Sequence, residues 1–125
     1  MIYTLKSSTD IAQIAQKIET EAKHYGFGLL HHYGFKEILK TKGFPIEREV
    51  TVFELCNPAG AQKVLDAVPA ISVYLPCRIS LYTEGDKTVL ATINFDTIID
   101  GLEIEKDFKQ FLYALFSDMK KLMGH

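Results

Sequence analysis

The chain has 125 residues, of which 47% are hydrophobic and 24% charged, and its formal net charge is −2. This length predicts one domain, residues 1–125, and the even charge balance argues against a surface for nucleic acid. No apolar run approaches the ~18 residues of a membrane span, and the N-terminus lacks the apolar core of a signal peptide. We therefore expect no nucleic-acid partner, no membrane partner and a cytoplasmic location.

The first elements alternate between strand and helix. Capping side chains precede the first amphipathic helix, and glycines end both helices. The pattern predicts a strand, a helix, a strand and a short helix, in that order, at residues 1–5, 8–25, 27–33 and 35–42.

A strand and a helix are predicted around the first cysteine. Residues 49–55 are rich in β-branched and aromatic side chains, which suit a pleated, half-buried surface. Asn57 can accept hydrogen bonds from a first helical turn, and Pro58 is favoured at the first helical position. A helix therefore begins at Pro58, and Pro69 ends it. Cys56 precedes this helix N-terminus, where the exposed amides favour a thiolate.

A long strand is predicted at residues 71–82, because apolar and polar side chains alternate there. Cys77 falls on its apolar side, and Pro76 marks a bulge, a break or an edge. If the helix from Pro58 is a right-handed crossover, the strands before and after it run parallel. Cys56 and Cys77 then lie at a similar level, on neighbouring strands or one strand apart.

The C-terminal elements complete the pattern. A turn, a strand, a loop or helical turn and a final helix are predicted at residues 83–87, 88–95, 96–102 and 103–122. Crossovers mixed with a hairpin indicate an α+β fold, a two-layer sandwich of a mixed β-sheet with helices mainly on one face. Tyr113 and Phe116 lie beside the main apolar stripe of the last helix, which indicates either a homodimer contact or a wide buried face.

The candidate ligand-binding residues are Cys56, Asn57, Cys77 and Arg78. The two cysteines either form a thiol or metal site or are small buried residues, and we favour packing. Arg78 either holds an anion or a thiolate or is a solvated strand residue. His31 and His32 are strand neighbours that point to opposite faces, and no Cys-x-x-Cys spacing is present, so no metal site is predicted.

The residues support two functional hypotheses. The first is a non-enzymatic small-ligand or protein-binding module that acts as a homodimer, with the four candidate residues lining or supporting its pocket. The alternative is a thiol-dependent redox or metal-handling protein in which Cys56 is the reactive thiolate and Cys77 the resolving thiol or second ligand. No nucleotide, zinc or serine-nucleophile motif is present, so the residues identify neither a reaction nor a cofactor and leave both open.

Two short motifs, Cys56-Asn57-Pro58 and Leu75-Pro76-Cys77-Arg78-Ile79, are the most specific of the chain. Less specific positions accompany them at Phe27-Gly28-Leu29-Leu30, Leu39, Lys42-Gly43, Ala61, Leu65 and Tyr82. Together these positions, over residues 26–95, resemble the domain-of-unknown-function family numbered 302.

The resemblance implies a compact α+β domain, often dimeric, with no agreed activity. The family tends to carry an Asp at the end of the second strand, where this chain has His31-His32-Tyr33-Gly34. No role for an acidic residue at that point is therefore carried over to this chain.

Overall fold

Five segments with alternating side chains form one sheet in the computed structural model, which describes residues 1–124. The strands are β1 (Ile2–Ser7), β2 (Gly28–Gly34), β3 (Val50–Cys56), β4 (Cys77–Glu84) and β5 (Lys87–Ile93). Their order across the sheet is β1-β5-β4-β3-β2, and every neighbouring pair is antiparallel. β1 and β2 are therefore the edge strands.

The described part of the chain contains α-helices and two 3₁₀ helices. The α-helices are α1 (Ile11–Glu21), α2 (Phe35–Thr41), α3 (Pro58–Ala67), α4 (Phe95–Asp100) and α5 (Lys106–Met123). The 3₁₀ helices are Ala22–Tyr25 and Pro69–Tyr74. Within residues 1–124, no helix combines the length and the apolar character that crossing a membrane requires.

The main core lies between the sheet and the helices α1 and α5. Strand alternation turns Phe53, Leu55, Ile79 and Leu81 toward these helices, and each is at most 1% exposed. Their helical partners include Ile14, Ile18, Phe116, Met119 and Leu122. Burial of each such side chain contributes about 1.5–3 kcal/mol of transfer free energy. This sheet-on-helix packing confirms the predicted α+β class.

The sheet is antiparallel between all described strands, so the expectation of a mixed sheet is corrected. Leu55 of β3 pairs with Cys77 of β4, which shows that the chain re-enters the sheet at the end where it left. The physical reason is that Pro69 ends α3, and the 3₁₀ helix Pro69–Tyr74 then carries the chain back. The connection is therefore not a crossover, and β3 and β4 do not run parallel as expected.

The predicted strand at residues 71–82 is correct only in its second half. Residues Pro69–Tyr74 are helical, and β4 begins at Cys77, directly after the cis peptide bond between Leu75 and Pro76. Val73 is 77% exposed, so this first half has no alternating buried face. Pro76 has no N–H to donate to a neighbouring strand, and β4 begins directly after it. The sequence predicted a bulge, a break or an edge at Pro76, and the structure has a break there.

A second apolar group, which we call the helical cluster, lies among α3, the 3₁₀ helix Pro69–Tyr74, α4 and α5. Its buried members are Val64, Ile99 and Leu112. Its partly exposed members are Leu65, Ile71, Leu75, Phe95, Leu102, Ile104, Phe108, Phe111, Tyr113 and Leu115. Most of its apolar side chains are thus only partly covered by the rest of the chain.

The aromatic residues of α5 differ in their surroundings. Phe116 is 4% exposed and lies edge-on to the rings of Tyr3 and Phe95, so it belongs to the main core. Tyr113 donates a hydrogen bond to the Asp100 carboxylate at the C-terminal end of α4. Phe116 is therefore part of a wide buried face and offers no surface for a dimer contact.

Candidate functional site

Cys56 and Cys77 lie at the same end of the sheet. Cys56 is the last residue of β3, and Cys77 is the first residue of β4, where it pairs with Leu55. The predicted strand at residues 71–82 placed Cys77 in its interior, and this expectation is corrected because the strand begins only at Cys77. The two cysteines are nevertheless on neighbouring strands, which is one of the two arrangements that the sequence allowed.

Asn57 begins α3 as the sequence predicts. Its Oδ1 accepts a hydrogen bond of 2.9 Å from the backbone N–H of Gly60, and Pro58 occupies the first helical turn. The capped residue Gly60 also lies against α5, because an added Cβ at Gly60 would lie only 2.4 Å from Cδ1 of Leu115. Any larger residue at position 60 would displace the Leu115 side chain or move α3 away from α5.

An apolar cavity of about 110 Å³ lies where α3, α4, α5 and the 3₁₀ helix Pro69–Tyr74 meet the ends of β3 and β4. Its lining consists of Phe27, Leu55, Cys56, Asn57, Gly60, Ala61, Val64, Ile71, Leu75, Pro76, Cys77, Phe95, Ile98, Ile99, Leu102, Leu112, Leu115, Phe116 and Met119. Asn57 and the two thiols are the lining side chains that carry polar atoms. The cavity therefore suits an apolar group.

The wall of the cavity reaches the surface. Ala61, Ile71, Ile98, Leu102 and Leu115 are all half-buried, whereas deeper wall residues such as Leu55, Ile99 and Met119 are buried. Among these rim residues, sequence analysis named Ala61 only as a position of the family resemblance. It did not assign the others to a site, because their segments looked like an ordinary strand, loop and helix stripe.

Burial controls the protonation of Cys77. The pKa of its thiol is raised from 9.0 to about 11, mainly by removal from water and also by the Cys56 charge, while the Arg78 guanidinium lowers it. Cys77 is therefore a neutral thiol near pH 7. This state agrees with a packing role for Cys77 and gives it little nucleophilic character.

Arg78 is not among the lining residues of the cavity. Its Nη2 lies 3.1 Å from Oε2 of Glu54, its partner across the β3–β4 pair. The hydroxyl of Tyr33 donates to Oε1 of the same carboxylate at 2.9 Å. The hydrogen bond to Glu54 is the largest cause of a raised pKa of Tyr33, followed by burial and the Glu54 charge, while Arg78 lowers it. Arg78 thus ties β4 to β3 beside the cavity.

Sequence analysis missed Glu54 and Tyr33 in this network. The alternation in β3 places Glu54 opposite the core side chains, but its partners depend on the strand register. Because the sequence suggested a parallel neighbour, it supplied the wrong register for β4. Only the antiparallel pairing brings Arg78 directly opposite Glu54.

The histidines lie on the edge strand β2, next to an irregularity between Leu29 and His31. His31 is edge-on to Tyr33 with ring centroids 4.5 Å apart, and His32 lies 5.8 Å from the ring of Phe53. Within residues 1–124, no three side chains of His, Cys, Asp or Glu are grouped so that they can hold a metal ion.

The fold and the site together define an α+β sandwich with an apolar cavity at one end of an antiparallel sheet. The chain belongs to the family described as Domain of unknown function DUF302, whose model matches residues 3–123. This match confirms the resemblance seen in the sequence. A similar solved structure is that of an uncharacterized conserved protein DUF302 from Bacillus stearothermophilus, with 24% identity and a TM-score of 0.78.

That likeness covers 98% of this chain and 91% of the other, and at this identity it supports the fold alone. No curated protein matches the chain.

Proposed function

We propose that the protein is a non-enzymatic binding module that takes up an apolar group in the cavity at the end of its sheet. The observation that carries this proposal is the lining, in which Asn57, Cys56 and Cys77 are the only side chains with polar atoms. Ligand sites are typically apolar clefts with a few polar groups that set orientation.

The size of the cavity indicates the size of the bound group. Apolar cavities of about 150 Å³ in protein cores stay dry and bind benzene. At about 110 Å³ this cavity is smaller, but its wall reaches the surface, so it suits a short branched alkyl group or an aromatic ring that enters in part. Larger ligands would place only their apolar end in the cavity.

The four candidate residues have different roles in this proposal. Cys56 and Cys77 supply soft, polarizable wall atoms, and Asn57 shapes the wall by holding the first turn of α3 against α5. Arg78 supports the wall from outside through its ion pair with Glu54.

A fluorobenzene titration followed by fluorine NMR tests the cavity. Ala61 lines the cavity and is half-buried, whereas Ala59 is exposed on the same helix and outside the lining. We expect Ala61→Leu to weaken fluorobenzene binding at least tenfold, because its side chain enters the space that the probe needs. Ala59→Leu is the matched control and should bind as the unmodified protein does. Equal binding by the two variants would contradict the proposal.

The neighbouring positions of Cys56 and Cys77 favour the thiol hypothesis as a second candidate function. It has a separate test. Labelling with a disulfide reagent near neutral pH, read by mass spectrometry, distinguishes the two cysteines. We expect both to react slowly and to become fast only on unfolding. Fast labelling of Cys56 in the folded protein, lost in Cys56→Ser, would instead support a reactive thiolate.

A further inference from the structure

One aromatic side chain projects from the surface on a rigid turn. Phe44 is 74% exposed, and it follows the C-terminal end of α2. Its N–H bonds to the carbonyl of Leu39 at 2.9 Å, and the preceding Gly43 has a φ of +86°. This is a Schellman-type turn, in which the apolar residue after the glycine normally packs on the helix. Here the ring is presented to solvent with its backbone already held.

We infer that the apolar group bound by the cavity is the Phe44 ring of a second copy of this chain. The inference rests on the proposed function of the cavity. A phenyl ring has the size of benzene, which cavities of about 150 Å³ accept, and the open rim lets such a ring enter this smaller cavity in part. Aromatic residues that enter a pocket on the partner are the usual anchors of protein interfaces.

Charge complementarity supports this pairing. The segment around Phe44 carries Lys40 and Lys42, and its nearest acidic residues along the chain are Glu37 and Glu47. At the rim of the cavity, Leu102 is followed by the exposed residues Glu103 and Glu105. Opposite charges around a central apolar anchor set the orientation and speed of association.

The topology allows two such contacts, each between Phe44 of one copy and the cavity of the other, to form in one closed dimer. Residues 35–49 leave and re-enter the sheet at the Gly34 and Val50 end, whereas the cavity lies at the Cys56 and Cys77 end. These ends are separated by the length of β3, about 20 Å. If two copies lie side by side in opposite directions, each Phe44 end meets the partner's cavity end. A two-fold axis then relates two identical contacts and closes the assembly.

Sedimentation equilibrium of the full chain tests this interface. We expect a dimer whose dissociation constant rises at least tenfold in Phe44→Ala and in Ala61→Leu. Leu30→Ala is the control, because Leu30 is also exposed, at 60%, but lies on β2 away from the basic turn. Lys42→Glu should weaken the dimer, and adding Glu103→Lys should restore part of the affinity.

Fluorobenzene binding separates this inference from the proposed function. Phe44→Ala should bind fluorobenzene more tightly than the unmodified protein, because no ring from a partner competes for the cavity. A monomer that binds fluorobenzene, or a dimer unaffected by Phe44→Ala, would overturn the inference and leave the proposed function standing. Failure of Phe44→Ala to bind fluorobenzene would overturn the proposed function itself.

Discussion

The Cys77 thiol links pH to stability at the scale of a single residue. Burial raises its pKa in the folded protein to about 11, while the unfolded chain has the ordinary value of 9.0. The unfolded state therefore loses this proton first as the pH rises. The stabilising contribution is complete below pH 9 and is lost between pH 9 and about 11.

We expect the free energy of unfolding to fall by on the order of 1–3 kcal/mol across this range because of Cys77. Urea unfolding at several pH values measures the slope. Cys77→Ala should flatten it, whereas Cys56→Ala should keep most of it. An unchanged slope in Cys77→Ala would show that the thiol is ionised equally in both states.

At the scale of elements, the start of α3 determines how the cavity wall is held. The Asn57 side chain satisfies the N–H of Gly60, and the same turn places Gly60 against Leu115 of α5. A helix-initiating cap of this kind contributes about 1 kcal/mol to stability. Here the capped turn is also the turn of α3 that packs on Leu115 of α5.

Asn57→Ala should destabilise the protein by about 1 kcal/mol and weaken fluorobenzene binding, because the first turn of α3 loses its cap. Asn57→Asp is the control, since its carboxylate can accept the same hydrogen bond. Chemical unfolding and fluorine NMR measure the two effects. If Asn57→Ala and Asn57→Asp behave alike, the cap does not hold the wall.

At the scale of the whole molecule, the main core and the helical cluster meet at the cavity. Leu55 is fully buried in the main core and also lines the cavity, so it joins the two. The main core lies under the sheet, whereas the helical cluster leaves most of its members partly exposed. The least covered apolar part of the fold therefore surrounds the site.

Leu55→Ala should lower the free energy of unfolding by about 2–5 kcal/mol, because a fully buried side chain leaves a void. The void adjoins the existing cavity, so the variant should also accept ligands larger than fluorobenzene, such as a substituted benzene. Val52→Ala, on a half-buried residue of the same strand, is the control and should cost less. Similar losses of stability in both variants would contradict this account of the core.

The local features of the site were predictable from neighbouring residues. Asn57 and Pro58 specify the start of α3, and Pro69 specifies its end, because capping and proline geometry act within one turn. The hairpin between β4 and β5 is equally local, with Gly85 at a φ of +62°. The α+β class followed from these elements and their order.

The sequence by itself determined most helices and strands and the cap of α3. It left the two cysteines on neighbouring strands or one strand apart, and the antiparallel pairing of β3 with β4 decided between these arrangements. The direction of β4 was decided only by the tertiary structure, because alternation at residues 71–82 cannot distinguish a strand from a helical segment followed by one. The pairing of Arg78 with Glu54 and the cavity depend on that direction. Both join residues far apart in the chain, and such contacts form only when the whole fold closes around them.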